Sequence, residues 1–403
     1  MKILILTQYY PPETGAPQNR LSSLAYHLKR LGHEVEVLTA FPNYPAYKIH
    51  PDYRDKKKKI EYIDGIKIIR SSLFISENKS VIFRLLTYFS FAFTSYFTGR
   101  RKATTREIII CESPPLFLGI TAIALKRKWK SKLVFNVSDL WPESAEELGI
   151  IKNRFLLDLS QNLAIRIYKN ADLISGQTKG IVDRIKQLVP EKTITWLPNG
   201  IDDKKFENFE KSIFKPEENG KFHLLYAGIL GHAQGLEVIL KAAASLGHVP
   251  EIHFYIAGDG PEKEKLVRLN KKLGTENLTF LGNLPVELLT QQLIRTNASI
   301  IPLKNLPLFN GAIPSKIFEP LFFGKPVLLG LNGEAKELFI DEGKAGLHFE
   351  PENHHDLASK ILKLYNNRGL ANELGSNGRE FVQTKFNRSQ IAKKFEEHLQ
   401  KLV

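Results

Sequence analysis

The chain has a single cysteine, Cys111, so it forms no internal disulfide and holds no cysteine-cluster metal site, a composition compatible with a reducing cytoplasm. No Asp-x-Asp pair occurs anywhere in its 403 residues, so the usual carboxylates by which a divalent ion bridges a diphosphate are missing and no metal cofactor is expected. The loop after the first strand-like run lacks the glycine triplet of dinucleotide-binding proteins, which discounts a nicotinamide or flavin cofactor. No apolar run is long enough to span a bilayer, and the N-terminal MKILILTQYY enters a strand-like run without the long apolar segment and cleavage site of a signal peptide. No short-period repeat or low-complexity tract is present. Acidic residues are outnumbered, 43 against 57 Lys and Arg, and the formal charge of +14 indicates polyanionic company. With no zinc finger or RNA-recognition signature, nucleic acid is not the expected partner, which leaves anionic lipid headgroups or phosphorylated small molecules. The densest basic run, Lys56 to Lys59, reads as a solvated loop.

What is present is the pattern of an α/β protein, at a length suited to two domains of about 200 residues each. KILILT is a short buried-strand run, LSSLAYHLKRLGH an amphipathic helix ending at Gly32, and EVEVLTA a second strand, together one βαβ unit. Strand-like runs continue at GIKIIRS, EIIICESPP, KLVFNVSD, DLISGQT and TITWLP, alternating with helical segments, so a parallel, doubly wound sheet is expected over residues 1–197. LPNGIDD, Leu197 to Asp203, reads as a boundary. Beyond it FHLLYAG, EIHFYIAGDG, LTFLGN, ASIIPL, PVLLG and GLHFE repeat the pattern over 198–386, and 387–403 form an amphipathic final helix expected to pack back on the first domain.

Two stretches stand out chemically. From Ser80 to Lys102 an aromatic-rich segment is flanked by Arg84 and by Arg100, Arg101 and Lys102; it either lies in a membrane interface or is a core-facing helix. In FNGAIPSKIFEPLFFGKP, Gly311 and Pro314 punctuate a loop, Ile317, Phe318, Leu321 and Phe322 follow at helical spacing, and Gly324 is placed to end the helix. The first free amides of that helix, with Ser315 and Lys316, favour a phosphate, and the Glu319 carboxylate one turn on can accept two hydrogen bonds from a ribose diol. The competing reading of the same residues is an exposed Lys316–Glu319 ion pair on an ordinary helix. Pro320 means that the helix begins late or kinks at the glutamate.

Two such domains, a nucleotide clamp in the second and a turn-rich loop after the first strand, resemble the retaining glycosyltransferases of the GT-B fold, glycosyltransferase family 4. The landmarks run over nearly the whole chain: PPETGAPQNR, LGHEVEVLT, DLWPES, LPNGID, YAGILGHAQGL, IAGDGP and PSKIFEPLFFGKPV. The pairing of FPNYP, Phe41 to Pro45, with DLWPES is most similar to the bacterial branch that adds N-acetylfucosamine to O-antigen or capsule repeat units. The resemblance implies two Rossmann-like domains facing each other across a cleft, a UDP-sugar donor held by the second and an acceptor held by the first. The acceptor it implies is a lipid-linked, polyprenyl diphosphate saccharide at the cytoplasmic membrane surface.

Residue by residue, Glu319 matches the family's ribose-binding glutamate. The usual second glutamate, eight residues earlier, is Gly311 here, and the arginine and lysine that commonly serve the diphosphate are replaced by Ile229 and Gln234. Lys316, Ser315 and the loop amides are therefore expected to neutralise the phosphates, with Gly228 and Gly231 letting backbone approach them. Leu281 to Pro285, including Gly282 and Asn283, corresponds to the segment that receives the base; Asp259 reads as a turn residue. In the first domain Asp139 either orients the donor sugar and stabilises anomeric charge or caps the helix opened by WPES, and Glu143 is a second catalytic candidate. Gly15 is assigned to the diphosphate or the acceptor, and Arg20 to an acceptor phosphate. A UDP-sugar epimerase on the same scaffold, and a non-enzymatic basic protein that binds lipid or other polyanions, are the competing functions.

Overall fold

A computed structural model describes residues 1–13, 15–44, 47–55, 59–78, 80–147, 151, 153–202 and 220–403. Pro45 of FPNYP, lysines 56–58 of the basic run and Asp203 of LPNGIDD lie outside the described residues. The chain forms two compact units, Met1–Asn199 together with Arg388–Val403, and Gly200–Asn387.

In the first unit the strands are β1 (Lys2–Leu6), β2 (Glu34–Ala40), β3 (Ile60–Ile63), β4 (Ile66–Ser71), β5 (Ile108–Ser113), β6 (Lys132–Val137), β7 (Leu173–Gly176) and β8 (Ile194–Trp196). They lie in the order β3-β4-β2-β1-β5-β6-β7-β8 and pair in parallel except at β3, which returns on β4 as an antiparallel edge. Helices α1 (Ala16–Arg30), α2 (Val81–Lys102), α3 (Leu118–Trp129), α4 (Glu143–Glu147), α5 (Arg154–Asn170) and α6 (Lys179–Leu188) connect them. Both faces of the sheet are covered, so the central strands read as unbroken apolar runs rather than alternating ones. Side-chain alternation still sorts the core: Ile3, Ile5, Ile108 and Ile110 pack on one side with Leu21 and Leu28 of α1, while Leu4, Leu6, Ile109 and Cys111 pack on the other with Phe91 of α2 and Leu118 of α3. The last helix of the chain (Arg388–Gln400) buries Ala392, Phe395 and Leu399 beside α1.

The second unit has strands β9 (Phe222–Ala227), β10 (Ile252–Ala257), β11 (Leu278–Gly282), β12 (Ala298–Pro302), β13 (Val327–Gly330) and β14 (Gly346–His348), in the order β11-β10-β9-β12-β13-β14 and parallel throughout. Helices α7 (Glu237–Ser245), α8 (Lys263–Leu273), α9 (Val286–Arg295), α10 (Phe318–Phe322), α11 (His354–Asn366) and α12 (Arg368–Lys385) cover it, which makes the last helix of the chain α13. Chain direction across each sheet reverses once, beside β1 (β2 on one side, β5 on the other) and beside β9 (β10 and β12). Connections leaving the two strands at such a point diverge, and the crevice they leave at the carboxyl ends is where a doubly wound sheet takes its ligand.

Candidate functional site

At the second unit's switch point three loops are stitched together through their backbones. The Gly228 amide donates to Ala257 O at 3.0 Å, Leu230 to Asp259 O at 2.9 Å and Gly258 to Gly282 O at 2.7 Å. That packing is too close for side chains: Gly258 holds φ +133°, and a Cβ there would lie 1.9 Å from the Gly228 carbonyl oxygen. Asp259 accepts from the Gly260 amide and from Lys263, which holds its carboxyl below the usual range and gives it the turn role read from GDGP.

Into this backbone the segment between β12 and β13 sends Lys316. Its Nζ donates to Tyr226 Oη and to Gln234 Oε1, each at 2.7 Å, and stands 4.2 Å from the centre of the Tyr226 ring. Gly228, with φ +149°, leaves the space that the ammonium uses, since a Cβ there would sit 2.9 Å from Nζ. Burial pushes the Lys316 pKa down to about 7 and the Tyr226 phenol up. The structure therefore brings Gly228, Gln234 and Lys316 together and adds Tyr226, which the sequence reading did not single out. The ammonium faces Tyr226 and Gln234, not the solvated ion pair with Glu319 that the segment alone favoured.

Several expectations for this segment are corrected. No α-helix starts at Ser315: a 3-10 turn, Ser315–Ile317, precedes α10, whose five residues place Pro320 in the first turn. The helix begins late, and with so few aligned peptides its dipole contributes less than expected. Ile317, Phe318, Leu321 and Phe322 are buried and Gly324, φ +66°, follows the last turn, as the spacing predicted. Gly311 closes another 3-10 turn, Pro307–Gly311, and the Pro314 carbonyl accepts from Ile317 at 3.1 Å. Ser315 is exposed and Glu319 half-buried in the first turn of α10. Gly231 has φ −105°, and a Cβ there would meet only Ile229 Cγ2 at 3.6 Å among the protein's own atoms. Asn283 is exposed beyond β11.

In the first unit, Arg20 is not available to an acceptor phosphate. It is buried, ion-paired to Glu112, and donates to Ser138 Oγ at 2.5 Å and to Gln177 Oε1 at 2.7 Å. Asn136 donates to the same glutamate at 2.5 Å and accepts from Ser175 at 2.8 Å, so one network ties α1 to the ends of β5, β6 and β7. Gly15 lies just before α1 in extended backbone, and its missing side chain leaves room for Gln18 Oε1, which a Cβ would approach to 2.5 Å. Among the described residues, that oxygen and both amide atoms of Gln8 beyond β1 are buried without a hydrogen-bond partner, as is Arg20 Nε.

Asp139 stands at the end of β6 as an exposed residue, yet crowding around its carboxyl raises the pKa; Ser144 Oγ, donating at 3.0 Å, and the Leu140 amide oppose the rise, and the charge of Glu143 adds to it. Its carboxylate takes a hydroxyl instead of capping α4, whose first amides go to the carbonyls of Leu140 and Pro142. Glu143 faces Arg184 at 3.5 Å. The sequence reading missed a cluster of phenols: Tyr9 and Tyr44 pack edge to face with ring centres 5.6 Å apart, Tyr47 lies 6.3 Å from Tyr44, and Arg84 sits 5.7 Å over Tyr47. Tyr88 of α2 bonds Tyr9. The cluster is held by buried Glu13, which accepts from the amides of Asn43 at 2.6 Å and Tyr44 at 2.8 Å and so joins the PPE and FPNY motifs.

Residues 15–200 match the glycosyl transferase 4-like domain and residues 208–381 the glycosyl transferases group 1 domain. The chain belongs to this glycosyltransferase family. Among curated relatives, the putative colanic acid biosynthesis glycosyl transferase WcaI of Escherichia coli is 27% identical over 70% of this chain and 71% of its own length. Among solved structures, sucrose-phosphate synthase from Thermosynechococcus elongatus aligns with a TM-score of 0.77 at 17% identity, over 100% of this chain and 98% of that one. Anabaena HepE, solved with UDP and glucose, aligns with a TM-score of 0.72 at 16% identity, over 99% of both chains. The fold is thus the two-domain GT-B architecture, and this glycosyltransferase is an enzyme, which sets aside the basic-scaffold and epimerase readings.

Removing the Arg20 guanidinium strands the Glu112 carboxylate in the protein. Arg20→Ala is expected to lower the unfolding free energy by about 3–5 kcal/mol, measured by urea denaturation. A loss below about 1 kcal/mol would mean that the network is not structural.

Proposed function

We propose that this glycosyltransferase moves a sugar, with retention at the anomeric carbon, from a UDP-sugar to a lipid-linked (polyprenyl diphosphate) saccharide in the synthesis of a bacterial surface polysaccharide, such as O-antigen, capsule or exopolysaccharide. The observation that carries the donor half is Lys316, whose ammonium is held on Tyr226 and Gln234 at the β9/β12 switch point. Neutral partners and no carboxylate within that set leave its positive charge uncompensated, which suits a diphosphate. The UDP in the similar HepE structure and the polysaccharide named for WcaI support donor and pathway class. An N-acetylated sugar such as N-acetylfucosamine is the proposed donor sugar, on the pairing of FPNYP with DLWPES.

In this reading Glu319 accepts the ribose hydroxyls, the backbone of Leu281 to Pro285 receives the base, and Gly228 lets the diphosphate reach the Lys316 ammonium. Asp139 stabilises charge at the anomeric carbon, and Glu143, paired to Arg184, positions it. The acceptor hydroxyl attacks from the face the leaving phosphate departs from, and that phosphate takes its proton. Lysine and amides neutralise the leaving group, with no metal ion required. Gly15, Gln8, Gln18 and the phenol cluster replace Arg20 as the acceptor's contacts, and the enzyme works at the cytoplasmic membrane surface.

Two measurements test the donor site. Glu319→Ala is expected to weaken UDP binding by ~2–3 kcal/mol, roughly 30- to 150-fold, in titration calorimetry; undiminished affinity would put the ribose elsewhere. Because the free lysine titrates near about 7, binding a diphosphate to its charged form takes up a proton above that pH. The dissociation constant for UDP should be nearly flat below about pH 7 and rise roughly tenfold per pH unit above it, until the raised pKa of the complex is reached. Lys316→Gln should abolish that slope. An affinity independent of pH in the wild type would remove Lys316 from the diphosphate.

A further inference from the structure

Helix α2 carries its apolar residues on the wrong side for a helix facing water. Ile82, Leu86, Phe89, Phe93 and Phe97 recur at i, i+4, i+7, i+11 and i+15, one continuous stripe, and all five are exposed, Ile82 by 69% and Phe93 by 67%. Its hydroxyls meanwhile turn inward. Ser90 Oγ accepts from the Phe74 amide at 2.7 Å, Thr98 bonds Ser71 at 2.9 Å and Thr94 donates to the Ser72 carbonyl, so the polar edge is fastened to the segment leaving β4. Phe91 is fully buried against the sheet, and Thr121 of α3 donates to the Ala92 carbonyl at 2.5 Å. The helix is thereby fixed with its stripe of phenylalanines outward.

We propose that the α2 stripe is a docking surface for an anionic lipid bilayer, in which the helix lies flat with its phenylalanines among the acyl chains and its cations on the headgroups. Arg100 continues the line of the stripe one turn past Phe97, Arg101 is exposed beside it, and Lys102 ends the helix. An amphipathic face flanked by cations is the pattern that binds such an interface, and charge complementarity selects anionic lipid over a second copy of this basic, +14 chain. No helix among the described residues is long and apolar enough to cross a membrane, so α2 rests on the bilayer and does not span it. The inference deepens the reading of a lipid-linked acceptor and rests on it in one respect: the other edge of the same helix presents Arg84 and Tyr88 to the phenol cluster at the ends of β1 and β2. A lipid held by the stripe would bring its diphosphate and first sugar to that edge.

The test is co-sedimentation of the full chain with vesicles of phosphatidylglycerol and phosphatidylethanolamine, against vesicles of phosphatidylcholine alone. The wild type should bind the anionic vesicles, and the double variant Ile82→Glu/Phe93→Glu should partition roughly tenfold less or weaker still, with an unchanged melting temperature and unchanged UDP affinity. Arg100→Glu/Arg101→Glu should lose only the preference for anionic lipid. A wild type that ignores vesicles, or a double variant that binds like the wild type, overturns the proposal. So does a wild-type dimer in sedimentation velocity that the double variant dissociates, which would give the stripe to a second copy. Failure of UDP binding with vesicle binding intact would refute the donor reading and leave the docking surface standing.

Discussion

A parallel sheet covered on both faces can present ligand-binding groups only at its strand ends, and both units of this glycosyltransferase are built under that constraint. β1 and β9 are buried along nearly their whole lengths, so neither offers a side chain to a ligand until the chain leaves the sheet. Each strand then gives way to a turn-rich or glycine-rich stretch, Gln8 to Gly15 after β1 and Gly228 to Gln234 after β9, to which the proposed function assigns ligand contacts. Burying two faces also narrows the sequence of the strands toward β-branched, leucine and aromatic residues.

Within the second unit, the same constraint bears on how, in the proposed donor site, a lysine would stand in for the arginine and lysine that the family usually places after the first strand. The Gly228–Gln234 loop is pinned to its neighbours by backbone hydrogen bonds, with Gly258 in van der Waals proximity to the Gly228 carbonyl, and is therefore rigid without side chains of its own. Ile229, at the arginine's place, is 60% exposed and carries no charge. The cation at this loop comes from the other side of the switch point, Lys316, and Gln234, at the place of the lost lysine, is one of the acceptors that hold it. A cation supplied in this way reaches the loop from across the sheet, and its burial lowers its pKa, so that charging it is coupled to what binds.

Sequence periodicity carried the architecture well because length and apolar pattern determine it. Six of the seven strands read in the first unit's parallel run, and four of the second's six, lie inside their sheets, where continuous apolar stretches leave little ambiguity; β8, β11 and β14 are edges. β3 escaped although IEYIDGIKI holds a hairpin signal, Asp64 and Gly65 both at positive φ, because a half-exposed edge strand lacks the unbroken apolar run. Of the residues gathered at β9's end, Lys316 was singled out from the loop-and-helix pattern around it, and Gly228 and Gln234 from the family resemblance. Tyr226 was not: in FHLLYAG it reads as one more core residue, and only the rotamer of a lysine ninety residues later makes its hydroxyl an acceptor. Arg20 misled for the converse reason, since a cation in a helix facing a phosphate site and a cation neutralising a glutamate on a distant strand have the same sequence signature.

The segment 80–102 shows where periodicity alone stops. Phenylalanines at 83, 89, 91, 93 and 97 mark an aromatic helix, but which of them faces the sheet depends on which hydroxyls find partners, and those partners, Ser71, Ser72 and Phe74, lie on a segment whose path is set by β4. Once three hydrogen bonds fix the rotation, Phe91 goes into the core and Phe93 goes out, although they are two residues apart and chemically identical. Hydrophobic burial would favour the opposite rotation for a helix surrounded by water, at roughly 1.5–3 kcal/mol for each large side chain left exposed. Five such side chains left outside are what the proposed docking to a bilayer would require, and anionic headgroups would also account for the arginines at the helix end.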